Sequence, residues 1–303
     1  MTLSNDSAER ITLLYRTAQR NGSLVTIHEL SRLLTEDASE KDLVEAVAST
    51  PTLNSRFELK GSYLTERQAV RRLDPTFTET ESRRVARINL AHAANFARLL
   101  HSNTFEVAAV SGSTSYGSAS HSRDLDFFCI SRTGHMWISL TKGLLLARAY
   151  RTVNRGAPDI CFSYIMDESF AESTFESRRD ALFARDAIEA KVLKGSEVYE
   201  SLLGRAAWIS DFFPVAYLKI ATRDAQRRSR GTSSPKRVLN RFLFYTVGKF
   251  LRLKASMLNG RLTGRGRNVD LFDVRSAEDH LVYESSRYAA LRGDYASLAG
   301  AKS

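Results

Sequence analysis

The sequence predicts an α+β protein in three parts, and three observations predict it. Residues 8 to 64 carry three helical periodicities followed by a short hairpin; residues 80 to 166 alternate helices with apolar strands; the remainder is helical and strongly basic. The corresponding parts are residues 1–75, 76–170 and 171–303. A length of 303 residues accommodates that many cores, and 43% hydrophobic with 26% charged residues is the balance of a folded chain, which excludes global disorder.

In the first part, Ile11, Leu14, Tyr15 and Ala18 recur at helical spacing up to the stop at Asn21-Gly22. Thr26-x-x-Glu29 reads as a capping box opening a second helix through Leu30, Leu33 and Leu34, and Ser39-x-x-Asp42 as the start of a third that stops before Pro51. Phe57-Glu58-Leu59 and Ser62-Tyr63-Leu64 flank a Lys60-Gly61 turn. Three helices and a hairpin form the plan of a winged-helix-like module. Such modules bind nucleic acid, but the third helix carries Glu40, Asp42 and Glu45 against Lys41 alone and would repel phosphate; packing or partner binding is the favoured reading.

Asp74-Pro75 breaks the chain after the Arg67, Arg71 and Arg72 cluster, and a helix over about 80–102 leads into the second part. There the apolar run Val107–Val110 feeds a Ser111-Gly112-Ser113 corner, and after a small-residue segment Asp124-Leu125-Asp126 opens a second apolar run. Alternation along a strand puts Asp124 and Asp126 on one face and Leu125, Phe127 and Cys129 on the other. Two adjacent carboxylates repel each other unless cations stand between them, and an oxygen-only pair suits Mg²⁺ or Mn²⁺. Gly112 permits close backbone approach, Ser113 offers a hydroxyl, and amides of a short helix there would face an anion. Together they imply a bound metal-nucleotide. Met136–Val153 reads as a helix with Trp137, Leu140, Leu144, Leu145 and Ala147 inward, and Asp159–Met166 as a third strand after the Gly156-Ala157-Pro158 turn.

An apolar strand, Gly-Ser, about ten residues and Asp-x-Asp in a second apolar strand resemble the nucleotidyltransferase superfamily of DNA polymerase β, which includes poly(A) polymerases, CCA-adding enzymes and kanamycin nucleotidyltransferase. Gly112, Ser113, Asp124 and Asp126 fall on that motif. The resemblance implies a mixed sheet with helices on one face, NTP as substrate with ATP favoured, and a divalent cation held by the Asp pair. It also implies a third carboxylate on the last strand. Asp159 is the candidate, either as metal ligand or general base, or else simply as a turn residue. Arg123 and Lys142 are candidate triphosphate neighbours or solvated surface charges. A looser likeness over roughly residues 55 to 215, including Cys161-x-x-Tyr164, is to prokaryotic nucleotidyltransferase-domain proteins with a winged-helix-like start; it implies an architecture and no defined substrate.

In the third part, helices are expected over about 170–194, 196–213, 215–230 and 235–258. The last is apolar enough that it is expected to bury a broad face, leaving a basic stripe outside. Between Lys219 and Arg267 there are fourteen basic residues and one acid, within a chain of net charge +10. That excess favours a polyanionic partner. The resemblance to enzymes whose helical domain holds an RNA acceptor makes RNA the favoured acceptor, with a solvated basic face as the alternative.

The expected function is therefore NMP transfer from an NTP to an acceptor hydroxyl, RNA being favoured. Two alternatives remain: nucleotidylation of a small molecule or protein, and a nonenzymatic nucleic-acid-binding role, against which the intact Asp pair counts. The N-terminus lacks a signal-peptide pattern and no apolar run reaches membrane-spanning length, so a cytoplasmic protein with no membrane partner is expected. Two cysteines, Cys129 and Cys161, without a His cluster support neither a disulfide framework nor zinc.

Overall fold

The computed structural model describes residues 3–20, 24–67, 79–100, 104–117, 124–220, 234–263 and 271–300. The expected boundary near residue 75 lies outside these residues, as do Arg71, Arg72, Arg123, Arg223, Arg227, Arg228, Arg230, Arg265 and Arg267.

The chain opens with α1 (Asn5–Arg20), β1 (Val25–Thr26), α2 (Ile27–Leu33), α3 (Glu40–Ser49), α4 (Pro51–Asn54), β2 (Phe57–Lys60) and β3 (Tyr63–Glu66). Of the two capping boxes expected, the second forms in full and the first only by its Thr26 half, the Glu29 side chain pairing with Arg185 instead. Thr26 Oγ1 accepts from the Glu29 amide at 2.9 Å, and Ser39 with Asp42 forms a reciprocal capping box. Residues Lys60 and Tyr63 pair across a two-residue turn. The three strands form an antiparallel sheet in the order β1-β3-β2.

The middle of the chain supplies α5 (Glu79–Leu99), β4 (Val107–Val110), α6 (Gly112–Ser115), β5 (Asp124–Ser131), α7 (Met136–Val153) and β6 (Asp159–Asp167). Then follow α8 (Glu168–Ser177), α9 (Ala181–Glu189), β7 (Lys191–Lys194), α10 (Ser196–Arg205), a 3₁₀ turn (Ala207–Asp211) and α11 (Pro214–Ile220). After α12 (Ser234–Leu243), a π-helical stretch (Phe244–Gly248) and α13 (Lys249–Thr263), the chain returns as β8 (Phe272–Ser276), β9 (His280–Ser285) and α14 (Ser286–Gly300).

The fold is α+β around a six-stranded mixed sheet ordered β7-β4-β5-β6-β9-β8. Only β5 and β6 pair in parallel, joined by the α7 crossover. Three expectations are corrected here. The helix expected over 170–194 is broken: Arg179 takes φ +45°, Asp180 caps α9 through the Leu182 and Phe183 amides, and Lys191–Lys194 leaves the helix to pair with the edge of β4. The third part is not purely helical, since β8 and β9 extend the sheet beyond β6. Helices also cover both faces, not one. Val107, Ala109, Phe128, Ile130 and Met166 pack under α8 to α11 and α14, in a core continuous with the N-terminal helices. Ala108, Val110, Leu125, Phe127 and Cys129 pack under α5 and α7, with Leu251 of α13. Pro214 starts α11 as its first residue instead of merely ending the helix before it, a position where its missing N–H costs nothing.

A fourth expectation fails in an informative way. The helical run from Ser234 to Thr263 turns only a narrow face, including Asn240, Leu251 and Ala255, inward, while Val238, Phe242, Phe250 and Leu253 are at least 60% exposed. Its apolar residues are spread nearly all round the helix, and one helix face can rest on the sheet at a time.

The edge strand β7 is closed by Gly195 at φ +75°, where an added Cβ would lie 1.9 Å from the Glu106 carbonyl oxygen. Gly195→Ala is expected to destabilise the protein by roughly 2–5 kcal/mol, the sum of a left-handed backbone cost and overpacking against main chain. Urea unfolding checks it. An unchanged midpoint would mean that β7 does not dock on β4.

Candidate functional site

The site forms where β4 ends and β5 and β6 begin. Antiparallel pairing sets Val110 opposite Phe127, and the Ser111 amide then donates to the Asp126 carbonyl at 3.0 Å, folding the Gly-Ser corner over the start of β5. Gly112 adopts φ +67°, and a Cβ there would lie 3.2 Å from Asp126 Oδ2. Both the backbone conformation and the space therefore call for glycine. Ser113 stands half-buried in the first turn of α6; below it, Thr114 is buried and accepts from Asn89 Nδ2 at 3.3 Å, tying the corner to α5.

Parallel pairing of β5 with β6 puts Asp124 beside Asp159 and Asp126 beside Cys161. Laterally paired residues share a sheet face, so the three carboxylates and the thiol project on one side. Asp124 is exposed and Asp126 half-buried. Burial raises the Asp126 pKa to about 6, with Asp124 and Asp186 adding to the rise and a hydrogen bond from the Cys161 thiol opposing it. Asp124 is also raised, by burial and then by Asp159. The thiol itself is pushed up to about 12, by burial first and then by the two aspartates. Cys161 is thus a neutral hydrogen-bond donor to the Asp126 carboxylate.

Asp159 is turned toward Arg151 in the last turn of α7, with which it forms an ion pair. Among the described residues no group of three or more His, Cys, Asp or Glu side chains is placed to hold a metal ion. The pair Asp124 and Asp126 remains as the oxygen donor set; burial first, and neighbouring carboxylates second, raise both pKa values, and that unneutralised charge is what a cation would relieve.

No family model, curated protein or solved structure matches the chain. What the site can do is therefore argued from its own geometry.

Gly112, Ser113, Asp124, Asp126 and Asp159 are brought to one end of the sheet. Lys142 is not: it is exposed on α7 and acts electrostatically on His135, before that helix, whereas Arg151, nine residues further along, reaches Asp159. At 1.5 Å per residue about 13 Å of helix separates the two cations. The signal for Arg151 was available. A crossover helix between parallel strands ends near the start of the second strand, so a basic residue in its last turn meets the strand's first residue.

Behind the corner lies a buried polar network that sequence reading missed. Asp186 of α9 accepts from the hydroxyls of Tyr116, just past α6, and of Tyr288 in α14, the latter at 2.6 Å. Its neighbour Arg185 stacks over the Tyr116 ring at 4.2 Å and pairs with Glu29 of α2. The usable hint was Arg185-Asp186 inside an otherwise apolar helix, since ionised residues are fully buried only when partnered.

The Asp126 shift fixes a pH dependence. Its folded pKa of about 6 exceeds an unfolded value near 4, so the stability present below pH 4 is lost as pH rises through 6. Asp126→Asn escapes that loss and is expected to gain roughly 2–3 kcal/mol on the metal-free parent at pH 8, shrinking toward zero change with pH below 4.5. Urea unfolding across that range measures it. A difference that stays constant with pH would rule out the strained carboxylate.

Proposed function

We propose that the protein is a metal-dependent nucleotidyltransferase: a winged-helix-like module followed by a nucleotidyltransferase core, moving an NMP from an NTP, ATP favoured, to an acceptor hydroxyl. The observation that carries this reading is the close approach of the Gly112 corner to Asp126, where an added Cβ would lie 3.2 Å from Oδ2 and the Ser111 amide donates to the Asp126 carbonyl, so that an anion-binding corner and a carboxylate pair stand side by side. A phosphate cradle alone or an Asp-x-Asp alone would support less.

Asp124 and Asp126 would hold Mg²⁺ or Mn²⁺, which supplies charge neutralisation for the triphosphate and acidifies the acceptor hydroxyl. The backbone at Gly112 and the Ser113 hydroxyl grip the terminal phosphates. Asp159, half-exposed at the strand start and ion-paired with Arg151, accepts the acceptor's proton as the acceptor oxygen bonds to the α-phosphorus and pyrophosphate departs.

RNA is the proposed acceptor. Lys254 of α13 is close enough to act electrostatically on Cys161, so the basic helix reaches the edge of the carboxylate site, and Arg151 adds a second cation there. The N-terminal module serves packing in this reading. Its core is continuous with the helices over the sheet, Arg10 Nε donates to the Leu33 carbonyl at 2.7 Å, and Glu29 is committed to Arg185.

Incubation with each α-labelled NTP, Mg²⁺ and either total RNA, protein lysate or a metabolite extract tests the reading. Label is expected in RNA, and Asp124→Asn or Asp126→Asn is expected to lose at least 10³-fold in rate while the far-UV spectrum is retained. Near-parental turnover in either variant would dismiss the carboxylate pair as the site; label in another fraction would reassign the acceptor.

The division of labour between corner and strand has its own signature. Ser113→Ala is expected to raise the KM for NTP with little change in kcat, and Asp159→Ala to lower kcat by about 10²-fold with KM nearly kept. Equal KM effects would erase the assignment.

A further inference from the structure

We propose that the outward face of the helical run Ser234–Thr263 is a docking surface for an anionic lipid bilayer, on which the protein lies peripherally. This proposal does not rest on the transfer chemistry, though it shares Lys254 with the acceptor path proposed above. It also departs from the expectation of no membrane partner, which rested on the lack of a spanning segment. Among the described residues no helix is long and apolar enough to cross a membrane, but an interfacial helix needs only one apolar face.

Val238, Phe242, Tyr245, Phe250, Leu253 and Met257 are between 47% and 69% exposed. They recur every three to five residues on the face opposite buried Asn240, Leu251 and Ala255. At helical rise the seam runs roughly 28 Å. Scattered exposed apolar residues need no explanation, but a continuous seam of large ones does. The charge around it is one-sided. From Ser234 to Thr263 there are seven basic residues and no acid, and the helical step puts Lys249 and Arg252 on one side of the seam in α13, Lys254 and Arg261 on the other. An apolar strip edged by cations matches an acidic phospholipid surface, with headgroups at the edges and acyl chains under the strip.

Other occupants match less well. A second copy applied by the same face would set its cations against each other, Arg241 with its Glu278 partner aside. Single-stranded RNA would take up the cations and stack on Phe242, Tyr245 and Phe250, but Val238, Leu253 and Met257 present no ring to a base.

Vesicle flotation with the full chain tests this. The protein is expected to float with vesicles of three parts phosphatidylcholine to one part phosphatidylglycerol, to remain behind with phosphatidylcholine alone, and to be released as salt rises. Phe250→Glu with Leu253→Glu is expected to lower partitioning at least tenfold at an unchanged melting temperature, because both side chains lie in solvent; Lys249→Glu with Arg252→Glu is expected to lower it comparably. The proposal is overturned if the parent stays in the soluble fraction with anionic vesicles, or if either double variant floats as the parent does. It is equally overturned if the seam instead supports a dimer in sedimentation, or binds a single-stranded RNA oligonucleotide, with no flotation.

Discussion

A side chain at position 112 would press on Asp126, and the arrangement of the whole upper end of the sheet depends on that exclusion. The close approach lets the corner fold back over β5, which in turn buries the Asp126 carboxylate between main chain and the Cys161 thiol. Burial is what separates the two aspartates chemically. Asp124 stays exposed and is raised by burial and Asp159, while Asp126, more deeply set, is held near pKa 6. Two identical side chains two residues apart thus enter with different affinities for a proton, and by the same electrostatics for a cation.

The corner is also held from behind. Tyr116 leaves α6 directly toward Asp186, and Asp186 is shared with Tyr288 of α14, so the middle and last parts of the chain meet under the site. Arg185 extends the network to Glu29 in the N-terminal module. Such buried ionic groups do not add net stability cheaply, because each desolvated charge offsets much of the attraction it gains. Their effect here is geometric: Arg185 joins Glu29 of α2 to the Tyr116 ring that follows the corner.

Sequence patterning was legible where period and punctuation agree. Strand β5 begins at Asp124, α7 spans Met136–Val153 and β6 begins at Asp159, as read from alternation, a helical stripe and the Gly-Ala-Pro turn. The Gly-Ser and Asp-x-Asp elements were visible as local motifs for the same reason. Pairing was not legible. Lys191–Lys194 is too short to show a period of its own and becomes a strand only because β4 offers an open edge; β8 and β9 join through β6, more than a hundred residues earlier. Arg151 and Asp186 carry no motif of their own; their signals lie in the crossover that ends at β6 and in a charged pair inside an apolar helix, and their partners are set by packing.

Apolar composition alone misled the reading of Ser234–Thr263, and the reason connects this helix to the site. Hydrophobicity all round a helix indicates burial only if another surface is present to cover each face, and here the sheet covers one. The inward residues fasten the helix beside Trp137, whose backbone amide donates to Asn240 Oδ1 at 2.8 Å, a cap for α7. That helix ends at Arg151, the partner of Asp159. The exposed apolar face and the Asp159 ion pair are thus joined by direct contacts: the inner side of the same helical run caps α7 through Asn240, and α7 ends at the partner of Asp159.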